Sequence, residues 1–331
     1  MSIDVSSLPP LPETNAQVQI MPLDKGLLAI QGPDAAKFLQ GQVTCDIREL
    51  ADKQIRLGAH CTPKGRMLSS FYSLQPGAEE IWLLLPGEQV EFARSCLAKY
   101  IVFSKAKLVD LSESYSCWGF SGDAAAELLQ RELGQLPEES RWCTGEGFWL
   151  LRVNAERFVL ILTSETESLI DKLAASAELV SHNYWTLLDI AAGLGEVRAS
   201  SREVFTPQAL NFQLINGISF RKGCYTGQEI VARLHYRGAL KRHMYRFALD
   251  LDLTNITALP QPGQEIVNSE GKNIGELVLV AQSGALQLEL LANLVDENCE
   301  DAFLHWPESE GPGKKLEPKP LPYAIPKADM P

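Results

Sequence analysis

Residues 222–229 read Lys-Gly-Cys-Tyr-Thr-Gly-Gln-Glu. Thr226 stands three residues before Glu229. That spacing is a capping box, so it predicts a helix that starts at Thr226 and runs through Ile230, Val231, Ala232 and Arg233. Cys224 then precedes the cap by two residues. The unpaired amides of a helix start carry positive potential, and Arg221 and Lys222 add charge of the same sign. A thiol in such a place ionises more readily than a free cysteine, provided that it is not sealed in apolar surroundings. Gly223 and Gly227 let the backbone turn tightly and let a ligand approach. A plainer reading stays open beside this one: a turn-to-helix junction around a small buried cysteine, since free cysteines are among the most buried residues.

Upstream, Val18–Met21 and Leu27–Ile30 have the composition of short strands. Pro33 is expected at the first position of a helix that Gly41 ends. Ile55–Cys61 and Met67–Leu74 form an expected hairpin around Thr62-Pro-Lys-Gly-Arg66, followed by a strand at Ile81–Leu85 and a helix over Val90–Tyr100. Strand-then-helix patterns recur at 115–131 and 157–175. From about Tyr245 the texture changes to short apolar runs split by Pro262-Gly263, Glu270-Gly271 and Ser283-Gly284. That pattern predicts a small β-barrel or sandwich. The fold class is therefore α+β, in three parts: a mobile tail over 1–15, a body over 16–244 and a C-terminal β-barrel over 245–331. Glu308–Lys319, rich in Gly, Pro and charge, is expected to be a mobile loop.

A length of 331 residues favours two or three domains. The start lacks a basic segment followed by an apolar one, and the longest apolar runs are strand-sized, so the expectation is a cytoplasmic protein without a membrane span. The seven cysteines are odd in number and widely spaced, with no C-x-x-C. Disulfides and a resident zinc or iron–sulfur site are not expected. The net charge of −12 argues against broad nucleic-acid binding, and direct tRNA binding is disfavoured on that ground. Locally the balance reverses: residues 221–246 hold seven basic side chains against the single acid Glu229. That run is either a solvated face or a landing site for a polyanion beside Cys224, and a polyglutamylated cofactor tail or a stretch of RNA fits it equally.

A second informative element is the helix expected near 182–192. At 3.6 residues per turn Trp185, Leu188, Asp189 and Ala192 share a face. An indole is a stacking platform for a flat heterocycle, and a carboxylate on the same stripe accepts hydrogen bonds from ring N–H groups. The alternative is a core tryptophan with a surface aspartate at the edge of the stripe. Glu229 and Arg233 are spaced as an i, i+4 pair. His60-Cys61, without a second ligand at metal spacing, reads as structural.

The segment Phe205-Thr-Pro-Gln-Ala-Leu-Asn211 followed by Gly217-Ile-Ser-Phe-Arg-Lys-Gly-Cys-Tyr-Thr-Gly-Gln-Glu229 resembles the YgfZ family, folate-binding proteins related to the aminomethyltransferase (T-protein) of the glycine cleavage system. Gln40–Asp46, His60–Arg66, Lys99–Lys105 and Leu321–Tyr323 extend the likeness over nearly the whole chain. The resemblance implies a two-lobed aminomethyltransferase-like folate-binding body and a C-terminal barrel around a central hole. It implies folate or tetrahydrofolate, in some forms polyglutamylated, as the cofactor, and Trp185 as a folate-binding tryptophan. Asp189, Lys222, Tyr225 and Gln228 are the other expected contacts, with Cys224 as the functional thiol and no metal. The family pattern has a further folate-contacting tryptophan in the N-terminal strand region; that position falls at or near Gly26 here, in Asp24-Lys-Gly-Leu27, so one stacking wall is missing or supplied elsewhere. Aminomethyltransferases carry an acid where this chain has Ala191, in Asp189-Ile-Ala-Ala-Gly193. The implied function is an accessory role for iron–sulfur enzymes and, through them, tRNA modification, with iron–sulfur client or assembly proteins as partners. A tetrahydrofolate-dependent one-carbon transferase is the alternative, weakened by Ala191. A scaffold with a vestigial pocket is a third reading, in which Cys224 is inert.

Overall fold

The strand Lys25–Gln31 shows why this chain layers as it does. Its interior is buried along its whole length rather than alternately, so both of its faces must be covered. Leu28 and Ile30 pack with Phe38, Phe71, Val90 and Leu97. Leu27 and Ala29 point the other way, into a cluster with Trp82, Cys117, Val159 and Trp185. The computed structural model describes residues 17–237, 240–251, 259–305 and 313–326; the expected tail over 1–15 lies outside them.

Three sheets form the described part. One has five antiparallel strands in the order Arg56–Cys61, Met67–Gly77, Glu80–Pro86, Lys25–Gln31 and Lys107–Asp110. A second has six, in the order Glu178–Leu179, Gln19–Pro22, Tyr115–Ser121, Arg157–Thr163, Phe148–Arg152 and Arg141–Gly145. The cluster around Trp185 draws side chains from both, which makes it the core shared by the two lobes. The third sheet has seven strands, from Arg242–Asp250 to Glu317–Lys319, and nearly closes into a barrel filled by Phe247, Leu277, Leu290 and Leu294. The helix His182–Ala191 ties the body to that barrel: the Asn183 amide donates to the Gln282 carbonyl at 2.8 Å and accepts from the Gln282 amide at 2.9 Å.

The fold is thus α+β, as the sequence predicts. Several local expectations need correction. The first helix is Ala35–Gln40, so Pro33 precedes it instead of opening it. The helix expected over Val90–Tyr100 ends at Ala98. The barrel strand begins at Arg242, a few residues earlier than the change of texture suggests. Of the segment expected as a loop, 308–312 lies outside the described residues, while Lys314–Lys315 and Glu317–Lys319 are strands at the sheet's two edges. Composition alone missed them because edge strands need pair on one side only and tolerate Pro and Lys.

Candidate functional site

The segment 217–226 is stitched to residues 41–46 along its length. The Thr44 hydroxyl donates to the Gly217 carbonyl at 2.7 Å, and the Ser219 amide to the Thr44 carbonyl at 2.9 Å. Lys222 turns inward, and its Nζ donates to the carbonyls of Val43 at 2.6 Å and Cys45 at 2.7 Å. Burial lowers this amine to about 8. Tyr225 is buried as well, which pushes its hydroxyl up, and the Lys222 ammonium lies 5.0 Å from its ring centre. Between these two inward anchors Gly223 and Cys224 are exposed. A Cβ added to Gly223 would meet no atom within 4 Å.

The expected capping box does not form. The helix is Gln228–Arg237, and Gly227, at φ +87°, precedes it. Thr226 donates its hydroxyl to the Gln42 side chain at 3.3 Å and its amide to the Gly41 carbonyl at 3.1 Å. Tertiary contact thus claims the residue that local spacing assigned to the cap. Glu229 and Arg233 are both exposed and make no ion pair among the described residues.

A cleft of about 720 Å³ opens beside this turn. Cys45, Asp46, Arg56 and Tyr72 line it from the first lobe, Asn154 and Arg157 from the second, and Gln213, Phe220 and Arg221 from the connecting segment. Asp46 is bound by Arg48 at 2.6 Å, and hydrogen bonds from Arg48 hold its carboxyl at about 2. Glu49, also on the wall, is bound by Arg56 at 2.8 Å. Arg157 and Gln213 each keep a buried polar atom without a partner: the Nε of Arg157 and the Oε1 of Gln213.

Trp185 and Asp189 do share a helix face and are both buried, but neither lines that cleft. They bound a separate chamber of about 30 Å³, with Lys25, Tyr72, Leu194 and Glu196. Arg157 lies between the two spaces. Its guanidinium sits 4.2 Å from the Trp185 ring centre and donates to Asp189 at 2.5 Å. The Trp185 ring also packs so closely on Gly119 that a Cβ there would come within 2.6 Å of it. Lys25 and Glu196 form a buried ion pair in the same chamber, and Glu196 also binds Arg198 at 2.8 Å.

Gly26 faces away from Trp185. A Cβ on it would meet Ser112 Oγ and Val90 Cγ2, each at 2.5 Å, so no tryptophan fits at Gly26 itself. In a strand, a shift of one residue changes the face; Lys25 and Leu27 are the neighbours that point toward Trp185. Gln228 opens the helix and is half-buried. Sequence reasoning missed Arg157. Its signal was an arginine heading the apolar run 158–162 of the strand Arg157–Thr163.

All seven cysteines are free thiols. Burial pushes Cys45 to about 11 and Cys61 and Cys117 to about 12, and raises Cys96. His60 is buried with neither ring nitrogen partnered, and desolvation lowers it to about 4. Three members of the basic run are spent on structure: Lys222 is buried, Arg242 pairs with Glu276 at 3.3 Å and Arg246 with Glu289 at 2.6 Å.

No family model matches the sequence. Curated relatives do. The chain is 37% identical over 316 residues to the tRNA-modifying protein YgfZ of Cronobacter sakazakii, covering 92% of each. It is 36% identical over 327 residues to the protein of the same name from Pectobacterium carotovorum, covering 97% of this chain and 96% of that one. Among solved structures, the glycine cleavage system aminomethyltransferase T of Bartonella henselae superposes with a TM-score of 0.70 over 93% of this chain and 87% of its own, at 16% identity. A likeness at that identity speaks for the fold, which is aminomethyltransferase-like.

Proposed function

This chain belongs to the YgfZ family, and we propose that it is a tetrahydrofolate-binding accessory protein that supports iron–sulfur enzymes and thereby tRNA modification. The observation that carries the folate reading is the cleft of about 720 Å³ between the lobes. Its size suits a ligand of several rings, and a donor of Arg157 and an acceptor of Gln213 stand there without partners. A pterin offers the matching acceptor and N–H groups. Arg157 is fixed by the Trp185 ring on one side and Asp189 on the other. Trp185 and Asp189 then act on the ligand mainly by orienting that guanidinium. Tyr72 and Phe220 supply aromatic wall, and Arg221 on the same wall offers a cation for the glutamate end of the ligand. Bound tetrahydrofolate supplies a carrier of one-carbon units and of reducing equivalents.

The accessory reading is favoured over an aminomethyltransferase because the carboxylates at hand are engaged. Asp189 is held by Arg157, Asp46 by Arg48 and Glu49 by Arg56, while Ala191 brings no acid at the end of its helix. Cys224 is the proposed functional thiol, exposed between buried anchors.

Tetrahydrofolate titration followed by tryptophan fluorescence tests the ligand. Trp185→Phe is the suitable variant, because Trp185→Ala would also remove about 3–5 kcal/mol of core packing. Arg157→Lys should weaken binding by about tenfold or more, through loss of a planar, oriented guanidinium. Absence of any saturable signal would end the folate reading. A deletion strain complemented with wild type or Cys224→Ala, scored on iron–sulfur-dependent tRNA thiolation, tests the thiol; full activity of the variant would make Cys224 dispensable. One-carbon transfer from methylenetetrahydrofolate should be absent.

A further inference from the structure

Next to the exposed turn lies a group of three rings that the folate reading does not use as a whole. Phe220 and His235 are stacked, with centres 3.7 Å apart and planes 13° from parallel. Tyr236 meets His235 edge-on at 4.7 Å and Phe220 edge-on at 6.1 Å. Phe220 packs inward against the core, whereas His235 is exposed and Tyr236 is 68% exposed. Arg233 on the same helix and Arg221 beside Phe220 are also exposed, and neither makes an ion pair among the described residues.

We propose that this ring group, with Arg221 and Arg233, is a binding surface for single-stranded RNA. An exposed ring supported from behind by two others is a platform on which a base stacks, and unpaired arginines beside it take the phosphates. The chemistry favours RNA over a protein partner. Two of the three rings carry polar atoms, and no large aliphatic side chain is exposed on the described part of this helix. A protein-docking face would present such side chains at its centre. The −12 charge of the chain keeps the contact local, so binding should be weak and sensitive to salt. This inference does not depend on folate binding.

The test is fluorescence anisotropy with a fluorescein-labelled single-stranded RNA of about ten nucleotides, alone and annealed to its complement. The expected result is preference for the single strand. Tyr236→Ala should lower that affinity by about tenfold, and Tyr236→Phe should retain it. Arg233→Gln should flatten the slope of log affinity against log salt by about 0.7. Exposed Tyr236 can be replaced without disturbing the core, and a thermal melt of each variant verifies that. Tetrahydrofolate affinity is measured on the same samples and should not change. The proposal falls if the wild type does not bind the single strand or prefers the duplex. It falls also if Tyr236→Ala binds RNA like wild type, which would leave the rings to a protein partner. A loss of tetrahydrofolate affinity in Tyr236→Ala, with RNA binding intact, would assign them to the cleft ligand instead.

Discussion

The turn around Cys224 and the helix around Trp185 are the two places that the sequence marks most strongly, and the fold treats them in opposite ways. The turn is pinned at Lys222, Tyr225 and Thr226 and pushes Gly223 and Cys224 into solvent. The helix buries Trp185 and Asp189 in a chamber of about 30 Å³ and puts Arg157 between them and the cleft. One motif presents its cysteine directly to solvent. The other lies behind a neighbour, Arg157. The difference teaches that a candidate residue can be read correctly for its element and its face while the side chain that lines the cleft belongs to another strand.

The largest expected effect lies in thiol access. Cys117 shares the cluster of Trp185 and is sealed in it, so its alkylation requires the structure to open. With opening free energies of several kcal/mol in a stable core, Cys224 should react with iodoacetamide at least about a thousandfold faster than Cys117 in the ligand-free protein. Peptide mass spectrometry over a time course measures both. Similar rates would mean that the turn is not presented as described, and the contrast would collapse. Cys96 and the half-buried Cys299 are the closer comparison, and Cys224 should outpace these as well.

The second effect concerns the sealed side. Arg157 and Asp189 are both buried, with side-chain exposures of 6% and 10%. Arg157→Met keeps most of the volume but strands a carboxylate and uncovers the Trp185 ring. Breaking a buried pair in this way costs about 3–5 kcal/mol. Urea unfolding of the variant measures it, and the double variant with Asp189→Leu should recover a large part of the loss. A cost below about 1 kcal/mol, typical of a surface pair, would show that the chamber is wetter and looser than its contacts indicate. The same substitution should leave the alkylation rate of Cys224 unchanged, because the anchors of the turn lie on residues 41–46.

Most of the fold was legible because periodicity and punctuation carried it. The strands at Arg56–Cys61, Met67–Gly77 and Glu80–Pro86 and the helix His182–Ala191 follow directly from apolar spacing and turn residues. What escaped was decided by contacts distant in sequence. Thr226 has the right spacing for a cap, but Gln42, 184 positions away, takes its hydroxyl. Lys222 reads as surface charge until two carbonyls 177 and 179 positions away draw it inside. Gly26 lies one residue from Lys25 and Leu27, which face Trp185, and in a strand one residue decides the face. Arg157 could have been suspected from its place at the head of a buried strand, but its pairing with Asp189 is visible only in three dimensions.

The smallest effect tests how far the open side reaches toward the cleft. The basic run predicts tighter binding of polyglutamylated tetrahydrofolate than of the monoglutamate, with Arg237 and Lys241 as the first residues to neutralise. The structure redirects that choice. The Arg237 side chain lies outside the described residues. Lys222, Arg242 and Arg246 are occupied, and Arg221 is the basic residue of the run that lines the cleft. One exposed guanidinium acting on a flexible carboxylate tail is worth little in physiological salt, where charges are screened over about 8 Å. The advantage of the polyglutamate should therefore be about two- to fivefold at low salt, corresponding to about 0.4–1 kcal/mol. Arg221→Gln should abolish most of it and leave the monoglutamate nearly unchanged, while Lys241→Gln should have less effect. Isothermal titration with both folates at two salt concentrations gives the answer. Equal affinities at low salt in the wild type would confine ligand recognition to the rings and to Arg157, and the charge of the turn would then serve a partner other than folate.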